Sequence, residues 1–201
     1  TIDGQDVTKL PEHKRAAFLG RVFQDPMMGT APTMQIEENL ALAARRGQPR
    51  GLKWGITALE RADYRELLKT LDLGLEDRLT AKVGLLSGGQ RQALTLLMAS
   101  LKQPKLLLLD EHTAALDPKT ADKVLALSDQ IVQENNLTTL MITHNMKDAI
   151  AHGNRLIMMD AGRVVVDISG EDKKKLTVPD LLALFSRASG SDEANDKMLL
   201  S

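Results

Sequence analysis

The sequence contains no cysteine, and aromatic residues make up only 2% of its 201 positions. Without cysteine there is no disulfide, no thiolate metal site and no cysteine nucleophile. So few aromatic rings offer no stacking platform for single-stranded nucleic acid. The formal net charge is −1, so a large basic surface for nucleic acid or an anionic membrane is not indicated either. We therefore expect no nucleic-acid partner.

Long hydrophobic runs are also missing. No apolar stretch approaches the roughly 20 residues that a membrane-spanning helix needs, and the longest one, at 106–109, has the length of a strand. The hydrophobic fraction of 43% and the charged fraction of 26% are ordinary for a globular domain. If the protein works at a membrane, another subunit must hold it there.

The order of the predicted elements is that of an α/β domain. Strands are predicted at 19–23, 105–109 and 138–143, the second as a strand buried on both faces, and a hairpin at 155–159 and 163–168 turns at Gly162. A helical segment at 34–103 interrupts a core formed by 1–33 and 104–188, all within one domain that covers 1–201, and 189–201 is a polar, flexible tail. The predicted helices are 36–46, 58–71 capped by Thr57, 76–80, 87–102 capped by Ser87, 118–133, 146–151 and 178–187. In the helix at 58–71, the residues near one apolar stripe are Leu59, Ala62, Leu67 and Leu71.

The most specific motif is LSGGQ at 86–90. Ser87 stands where a helix is predicted to begin, and a helix N-terminus offers unpaired N–H groups and a partial positive charge. Gly88 and Gly89 have no side chains, so a phosphate could come close to those N–H groups. By themselves these residues also fit an ordinary serine-capped helix that follows a glycine turn.

Carboxylates end the apolar run LLLLDE at 106–111. At the carboxyl end of a buried strand, Asp110 is well placed to hold Mg²⁺, directly or through water. The neighbouring Glu111 points to the other side and could activate a water molecule. A strand that merely ends at the surface with charged residues is common. The stretch between Ser87 and Asp110, however, has the length of one helix that returns the chain to the sheet.

Two further side chains stand at predicted strand ends. His144 follows the strand at 138–143, where it could bind a terminal phosphate near Asp110 and Glu111. Gln24 follows the strand at 19–23, and a neutral amide there can ligate Mg²⁺ or orient water. Each of these residues alone is more often structural than functional.

Taken in this order, the motifs resemble those of the ATP-binding cassette (ABC) transporter ATPases, over residues 2 to about 185. The resemblance implies an α/β fold: a P-loop NTPase-type, mostly parallel sheet core with an inserted α-helical signature subdomain. LSGGQ looks like the family's signature motif, and LLLLDE looks like Walker B with the catalytic glutamate. Asp117, in Ala115-Leu116-Asp117, looks like the D-loop aspartate. His144 looks like the switch histidine and Gln24 like the Q-loop glutamine.

The resemblance also implies an ATPase with ATP and Mg²⁺ as cofactors. Two cassettes would pack head to tail with ATP between them, and Asp117 would communicate across the dimer. The implied catalytic residues are Glu111 as general base, His144 as a ligand of the γ-phosphate, and Gln24. The implied Mg²⁺ ligands are Asp110 and Gln24. The residues implied to touch the ATP held by the partner are Ser87, Gly88, Gly89 and Gln90.

One family motif is absent: no G-x-x-x-x-G-K-[ST] loop, which would cradle the phosphates, occurs in the sequence. The glycines at 47, 51 and 55 come closest, but no Gly-Lys-Ser/Thr follows them. Either the 201 residues are part of a longer protein that carries the loop upstream, or the chain is a degenerate, non-catalytic cassette that pairs with an active one. Intact Gln24, Glu111 and His144 favour the first explanation. We expect the 201-residue chain alone to be inactive.

A second departure is His112, where the family usually has proline after the glutamate. Proline would fix φ near −65°. We expect histidine to leave this turn freer, to add a titratable group near the nucleotide and to change the rate only modestly.

The implied partners are a membrane-spanning permease subunit and a second ABC ATPase subunit, most simply in a homodimer; a substrate-binding protein is a further candidate. This places the protein on the cytoplasmic face of the membrane as a peripheral subunit, and its compact single cassette favours small-molecule uptake.

The stretch between Gln24 and Ser87 is too short, and too poor in heptads, for the coiled coils of DNA-repair relatives. Met27, Met28 and the apolar face of 36–46 could contact the permease, or equally form subdomain core. The lysine run at 173–175 is expected to be a solvated face.

Overall fold

The computed structural model describes residues 1–48 and 55–189. Most of the predicted break at 47–55 and nearly all of the polar tail lie outside these residues. The elements in chain order are helix α1 (Glu12–Arg15), strand β1 (Leu19–Val22), α2 (Ile36–Ala44), α3 (Ala58–Lys69), a 3-10 helix (Val83–Leu85), α4 (Gly88–Ser100), β2 (Leu106–Asp110), α5 (Pro118–Glu134), β3 (Thr139–Ile142), α6 (Met146–Ala151), β4 (Arg155–Asp160), β5 (Arg163–Ser169), α7 (Gly170–Lys174) and α8 (Val178–Ser189).

The chain forms two compact units, one at Thr1–Ile142 and one that begins at Thr143. The first unit contains a parallel three-stranded sheet in the order β1-β2-β3. One sheet face is buried under α4 and α5, through a core that includes Val22, Leu96, Leu107, Leu109 and Ile131. The predicted parallel sheet with its helical crossovers is confirmed.

The apolar run predicts that strand β2 is buried on both faces, but only one of its faces is buried. Leu107 and Leu109 are buried on the helix-covered face, while Leu108 on the other face is only partly buried. On the neighbouring strand β3, Leu140 and Ile142 share this second face and are each about half exposed. In the described chain, the strand thus alternates between a closed and a partly open face.

The helical segment between β1 and β2 has its own core. Ile36 and Leu40 of α2 pack with Leu68 of α3 and Leu94 of α4. Leu59, which the spacing places in the apolar stripe of α3, is 74% exposed. The buried positions here are Tyr64, Leu68 and Leu71, of which Leu71 alone belongs to the predicted stripe; they follow the spacing of one helix face.

The predicted helix at 76–80 is wrong: the structure has turns there. The carbonyls of Leu79 and Ala81 accept hydrogen bonds from the N–H groups of Glu37 and Ile36. These are the first residues of α2, whose N–H groups lack partners inside the helix. The turns therefore satisfy the N-terminus of α2 instead of forming a helix of their own.

The second unit contains the predicted hairpin of β4 and β5. Ala161 and Gly162 at its tip both have positive φ, 45° and 78°, as a type I′ turn requires. The lysine run at 173–175 is not a uniformly solvated face, because Lys173 is buried. Its ammonium group donates to the carbonyls of Ile150 and His152, at the end of α6, and burial lowers the pKa of Lys173. No helix in the described part of the chain is both long and apolar enough to cross a membrane.

An ion pair joins α2 to α3. The Glu37 side chain is nearly buried, and Arg61 binds it through Nε and a terminal nitrogen at 2.8 and 3.0 Å. We expect Arg61→Ala to lower the free energy of unfolding by about 1–3 kcal/mol, because a buried carboxylate would lose its partner. Urea unfolding should show a smaller loss for Arg65→Ala on the same helix. Equal losses for the two variants would contradict the role given to the Glu37 pair.

A capping box starts α3 and gives it a pH dependence. Thr57 and Glu60 cap each other, and Arg45 contacts the Glu60 carboxylate at 2.8 Å. The Thr57 N–H, followed by Arg45, lowers the pKa of Glu60 to about 2. The charged cap therefore stabilises the fold above the pKa of an unfolded glutamate, about 4.3, and this contribution is lost as the pH falls towards 2.

In Glu60→Gln we expect the loss of stability between about pH 5 and pH 3 to become shallower, measured as the free energy of unfolding in urea. Glu66→Gln, which removes the same charge from an exposed pair with Lys69 on the same helix, is the matched control. If both variants kept the acid slope of the parent chain, the Glu60 cap would not be its cause.

Candidate functional site

The predicted carboxyl-end residues meet at one edge of the parallel sheet. Gln24 lies two residues after β1, Asp110 is the last residue of β2, and Glu111 follows it. Val22 pairs with Leu109 in the register of these two strands, so the chain after each strand leaves the sheet at the same edge. The first unit thus places Gln24, Asp110 and Glu111 at one edge of its sheet, and their joint role in a site stays a prediction.

Asp110 has a partner that sequence analysis missed. Arg21 of β1 donates to its carboxylate at 2.8 Å, and the same guanidinium lies 4.5 Å from the centre of the Phe23 ring. Arg21 is opposite Leu108 in the register, two residues before Asp110 on β2, so both charged side chains share a sheet face. A charged residue in a short, otherwise apolar strand is the signal that could have revealed this pair.

Glu111 adopts an unusual backbone conformation. Its φ is +43°, in the left-handed region, which costs a residue with a side chain about 1–2 kcal/mol. Its N–H donates to the Ile142 carbonyl at 3.0 Å, and its carbonyl accepts from the Ala114 N–H at 3.0 Å. The last residue of β3 and the following turn therefore fix how Glu111 leaves the strand.

His112 is buried, with 2% of its surface exposed. Its Nε2 atom lies 2.9 Å from the hydroxyl of Ser128, on α5. The side chain is thus directed into the protein and held against a helix, which contradicts the expectation of a freer turn; a place beside the nucleotide and a modest effect on the rate stay predictions. Its partner, Ser128, had no signal in the sequence.

The signature motif begins α4 as predicted. Ser87 accepts a hydrogen bond from the N–H of Gln90, and the Gln90 side chain accepts in return from the N–H of Ser87. Ser87 and Gly88 are exposed, so this helix N-terminus is open to an anion. The side chain of Gln90 is already used inside the chain, since its amide nitrogen also donates to the Leu73 carbonyl.

The two signature glycines have different surroundings. Gly88 is exposed, whereas Gly89 is buried, and a Cβ on Gly89 would overlap the Thr120 methyl group of α5. Asp117 caps that helix by accepting from the N–H of Thr120, and hydrogen bonds from the Thr120 hydroxyl and N–H lower the pKa of Asp117. Gly89 therefore lets α4 and α5 approach closely, a reason for glycine that the sequence alone did not give.

The loop that begins at Gln24 is tied to α4. Gln92, which is fully buried, donates to the carbonyl of Phe23 at 3.0 Å, directly before Gln24. Arg91 donates to the sulfur of Met27 and to the carbonyls of Gly84 and Leu86, the second of which is the first residue of the signature motif. The loop at 24–33 and the signature are thus held by neighbouring residues of one helix.

Met27 and Met28 keep 43% and 68% of their surfaces exposed. Ile36 and Leu40 are fully buried, but Leu42 of the same helix is half exposed. Of the two interpretations left open for these positions, exposure favours a contact surface for the methionines. It favours subdomain core for Ile36 and Leu40.

His144 belongs to the second unit, directly before the N-cap of α6 at Asn145. Its side chain is exposed. Its proximity to Asp110 and Glu111 remains a prediction.

A magnesium ion suits the donor set at the sheet edge. Among residues 1–48 and 55–189, no group of three or more acidic or histidine side chains could hold a metal alone. Mg²⁺, however, is commonly bound by one or two side chains together with water and substrate phosphates. Asp110 and Gln24 provide oxygen ligands of this kind, and in this structure Arg21 contacts one of the Asp110 carboxylate oxygens.

Comparison with known proteins places the chain in a family. The ABC transporter family model matches residues 1–114. A tyrosine transport ATP-binding protein of Clostridioides difficile is 49% identical over 188 residues, 94% of this chain and 74% of that protein. The methionine import ATP-binding protein MetN of Rhizobium etli is 38% identical, over 82% of this chain but only 44% of the longer relative.

A solved structure agrees. The ATP-binding cassette MJ0796, described as a dimer in a post-hydrolysis state bound to ADP and Pi, matches with a TM-score of 0.67 and 29% identity, over 84% of this chain and 71% of that one. The predicted cassette-type α/β fold is confirmed. The chain therefore belongs to the ABC transporter family, and the members that it resembles are the ATP-binding subunits.

Proposed function

We propose that the protein is the ATP-binding and ATP-hydrolysing subunit of an importer for a small solute. The observation that carries the proposal is the pairing, in one compact unit, of two surfaces. One is the sheet edge with Gln24, Asp110 and Glu111, and the other is the exposed N-terminus of α4 at Ser87 and Gly88.

The sheet edge supplies the chemistry. Asp110 and Gln24 would hold Mg²⁺, which neutralises charge on the phosphates when it is bound. Glu111 accepts a proton from the attacking water, and the backbone bonds at its N–H and carbonyl hold it in place for this task. His144 binds the terminal phosphate.

The α4 N-terminus serves a second copy of the subunit. Ser87, Gly88 and the neighbouring N–H groups offer an anion site with a partial positive charge, which accepts the nucleotide held by the partner. Gly89 and Gln90 support this surface from inside, the first by close packing and the second through the capping box. Asp117, at the start of the next helix, carries the signal between subunits.

The membrane partner is a permease subunit, which holds the protein on the cytoplasmic face. The exposed methionines of the loop at 24–33 offer it an adaptable apolar surface. The names of the relatives, for tyrosine, methionine and betaine or choline, support an amino acid or a small amino-acid derivative as the cargo. A substrate-binding protein outside the membrane would complete such an importer.

A second function remains a candidate, because no phosphate-binding loop occurs in these 201 residues. The chain could act as a non-catalytic partner of an active cassette. A titration of the native protein with a fluorescent ATP analogue and Mg²⁺ separates the two functions. We expect saturable binding. Failure of the native protein to bind would favour the non-catalytic partner.

Replacing Glu111 by glutamine tests the hydrolytic role. In the native protein we expect Glu111→Gln to lower the rate of ATP hydrolysis by about 100-fold or more, because an amide cannot accept the proton. Nucleotide affinity should remain, and an ATP-bound dimer should accumulate in size-exclusion chromatography. Glu134→Gln, an exposed residue that is hydrogen-bonded to Gln130 at the end of α5, is the matched control. Normal turnover by Glu111→Gln would refute the assignment of the base.

A further inference from the structure

We propose that His112 is a positioning residue that holds Glu111 in its catalytic conformation through a hydrogen bond to Ser128. This inference rests on the proposed hydrolytic function of Glu111. His112 is the next residue in the chain, its ring is buried, and the Nε2 atom contacts the Ser128 hydroxyl at 2.9 Å. Ser128 is itself buried in the middle of α5, which is a rigid support.

The surroundings of the Ser128 hydroxyl indicate the direction of this hydrogen bond. The hydroxyl oxygen lies 2.8 Å from the carbonyl oxygen of Val124, which can only accept, and 2.9 Å from Nε2 of His112. When the hydroxyl proton points to Val124, an oxygen lone pair faces the imidazole, and His112 donates from Nε2. We assign the proton to Nε2, because in this arrangement both contacts are hydrogen bonds.

The segment needs such a support because Glu111 is held in a left-handed conformation. A residue with a side chain returns readily to a backbone conformation with negative φ unless its neighbours prevent this change. The Ile142 carbonyl restrains Glu111 from the preceding side, through its N–H. His112 restrains the following side by fixing its own ring on α5, so the two flanks together set the direction of the Glu111 side chain.

The alternative is that His112 only fills space in the core. A space-filling role predicts that stability and activity fall together, whereas a positioning role predicts a selective loss of turnover. The hydrogen bond can be removed gently with Ser128→Ala, which deletes one oxygen atom. Ser100→Ala is the matched control, since Ser100 is also buried and also donates to a helical carbonyl, that of Leu97, but lies at the far end of α4 from the signature.

The experiment uses the native protein with Ser128→Ala, His112→Ala, His112→Gln and Ser100→Ala, and measures kcat, KM for ATP and the melting temperature. We expect kcat to fall about tenfold or more in Ser128→Ala and His112→Ala, with KM changed less than about twofold. His112→Gln keeps an N–H donor at similar reach and should restore most of kcat. Ser100→Ala should lower the melting temperature alone.

A spectroscopic measurement makes the test independent of turnover. In nitrogen-resolved NMR spectra, His112 should show a proton on Nε2 that exchanges slowly with water, and Ser128→Ala should abolish this protection. The proposal is overturned if Ser128→Ala keeps kcat, or if it resembles Ser100→Ala in every measurement. If the parent protein hydrolyses no ATP while the protected proton is present, the proposed function fails instead, and the hydrogen bond stands as structural.

Discussion

Helix α4 can lie against so many neighbours only because three positions around it lack side chains. A Cβ on Gly20 would overlap the carbonyl of Ala99, one on Gly29 would overlap the Thr95 methyl group, and one on Gly89 would overlap Thr120. These contacts bring α4 against β1, against the loop at 24–33 and against α5. Close-packed interiors resist even small additions of volume, so this approach fixes the spacing of the whole first unit.

A consequence of this packing is that several motif residues lie on helix α4 or contact it directly. The signature residues begin α4, Gln92 on the same helix holds the backbone just before Gln24, and Arg91 contacts Met27 of the loop. A movement of the loop at 24–33, when a partner presses on Met27 or Met28, would therefore act directly on the helix that presents Ser87. The structure provides a short physical connection between the proposed permease surface and the proposed nucleotide surface.

Many of the helix and hairpin boundaries could be predicted from the sequence, because the residues that mark them act locally. The serine at 87, the proline at 118 and the Ala-Gly pair at 161–162 mark helix and hairpin boundaries through rules that depend on a few neighbouring residues. The carboxyl-end placement of Gln24 and Asp110 follows from the parallel sheet alone.

The failures share one cause, which is dependence on residues far away in the sequence. The helix expected at 76–80 is replaced by turns that serve α2, and Leu59 lies outside the buried stripe because α3 turns Tyr64 and Leu68 towards the core. Lys173 lies within a charged run, yet its side chain is buried because its ammonium group donates to the carbonyls at the end of α6. The reason for glycine at 89 and the partner of Asp110 were hidden in the same way.

His112 shows how one constraint can be met by different chemistry. Proline, the usual family residue at this position, restrains the backbone after the catalytic glutamate by its own ring, without help from the rest of the protein. Histidine has no such intrinsic restraint, but its ring reaches a serine on α5 and obtains the restraint from tertiary structure. A proline would restrain the backbone without α5, whereas the histidine couples the position of Glu111 to α5. Since Asp117 caps the N-terminus of that same helix, a displacement of α5 by a partner subunit would shift Glu111, the proposed general base.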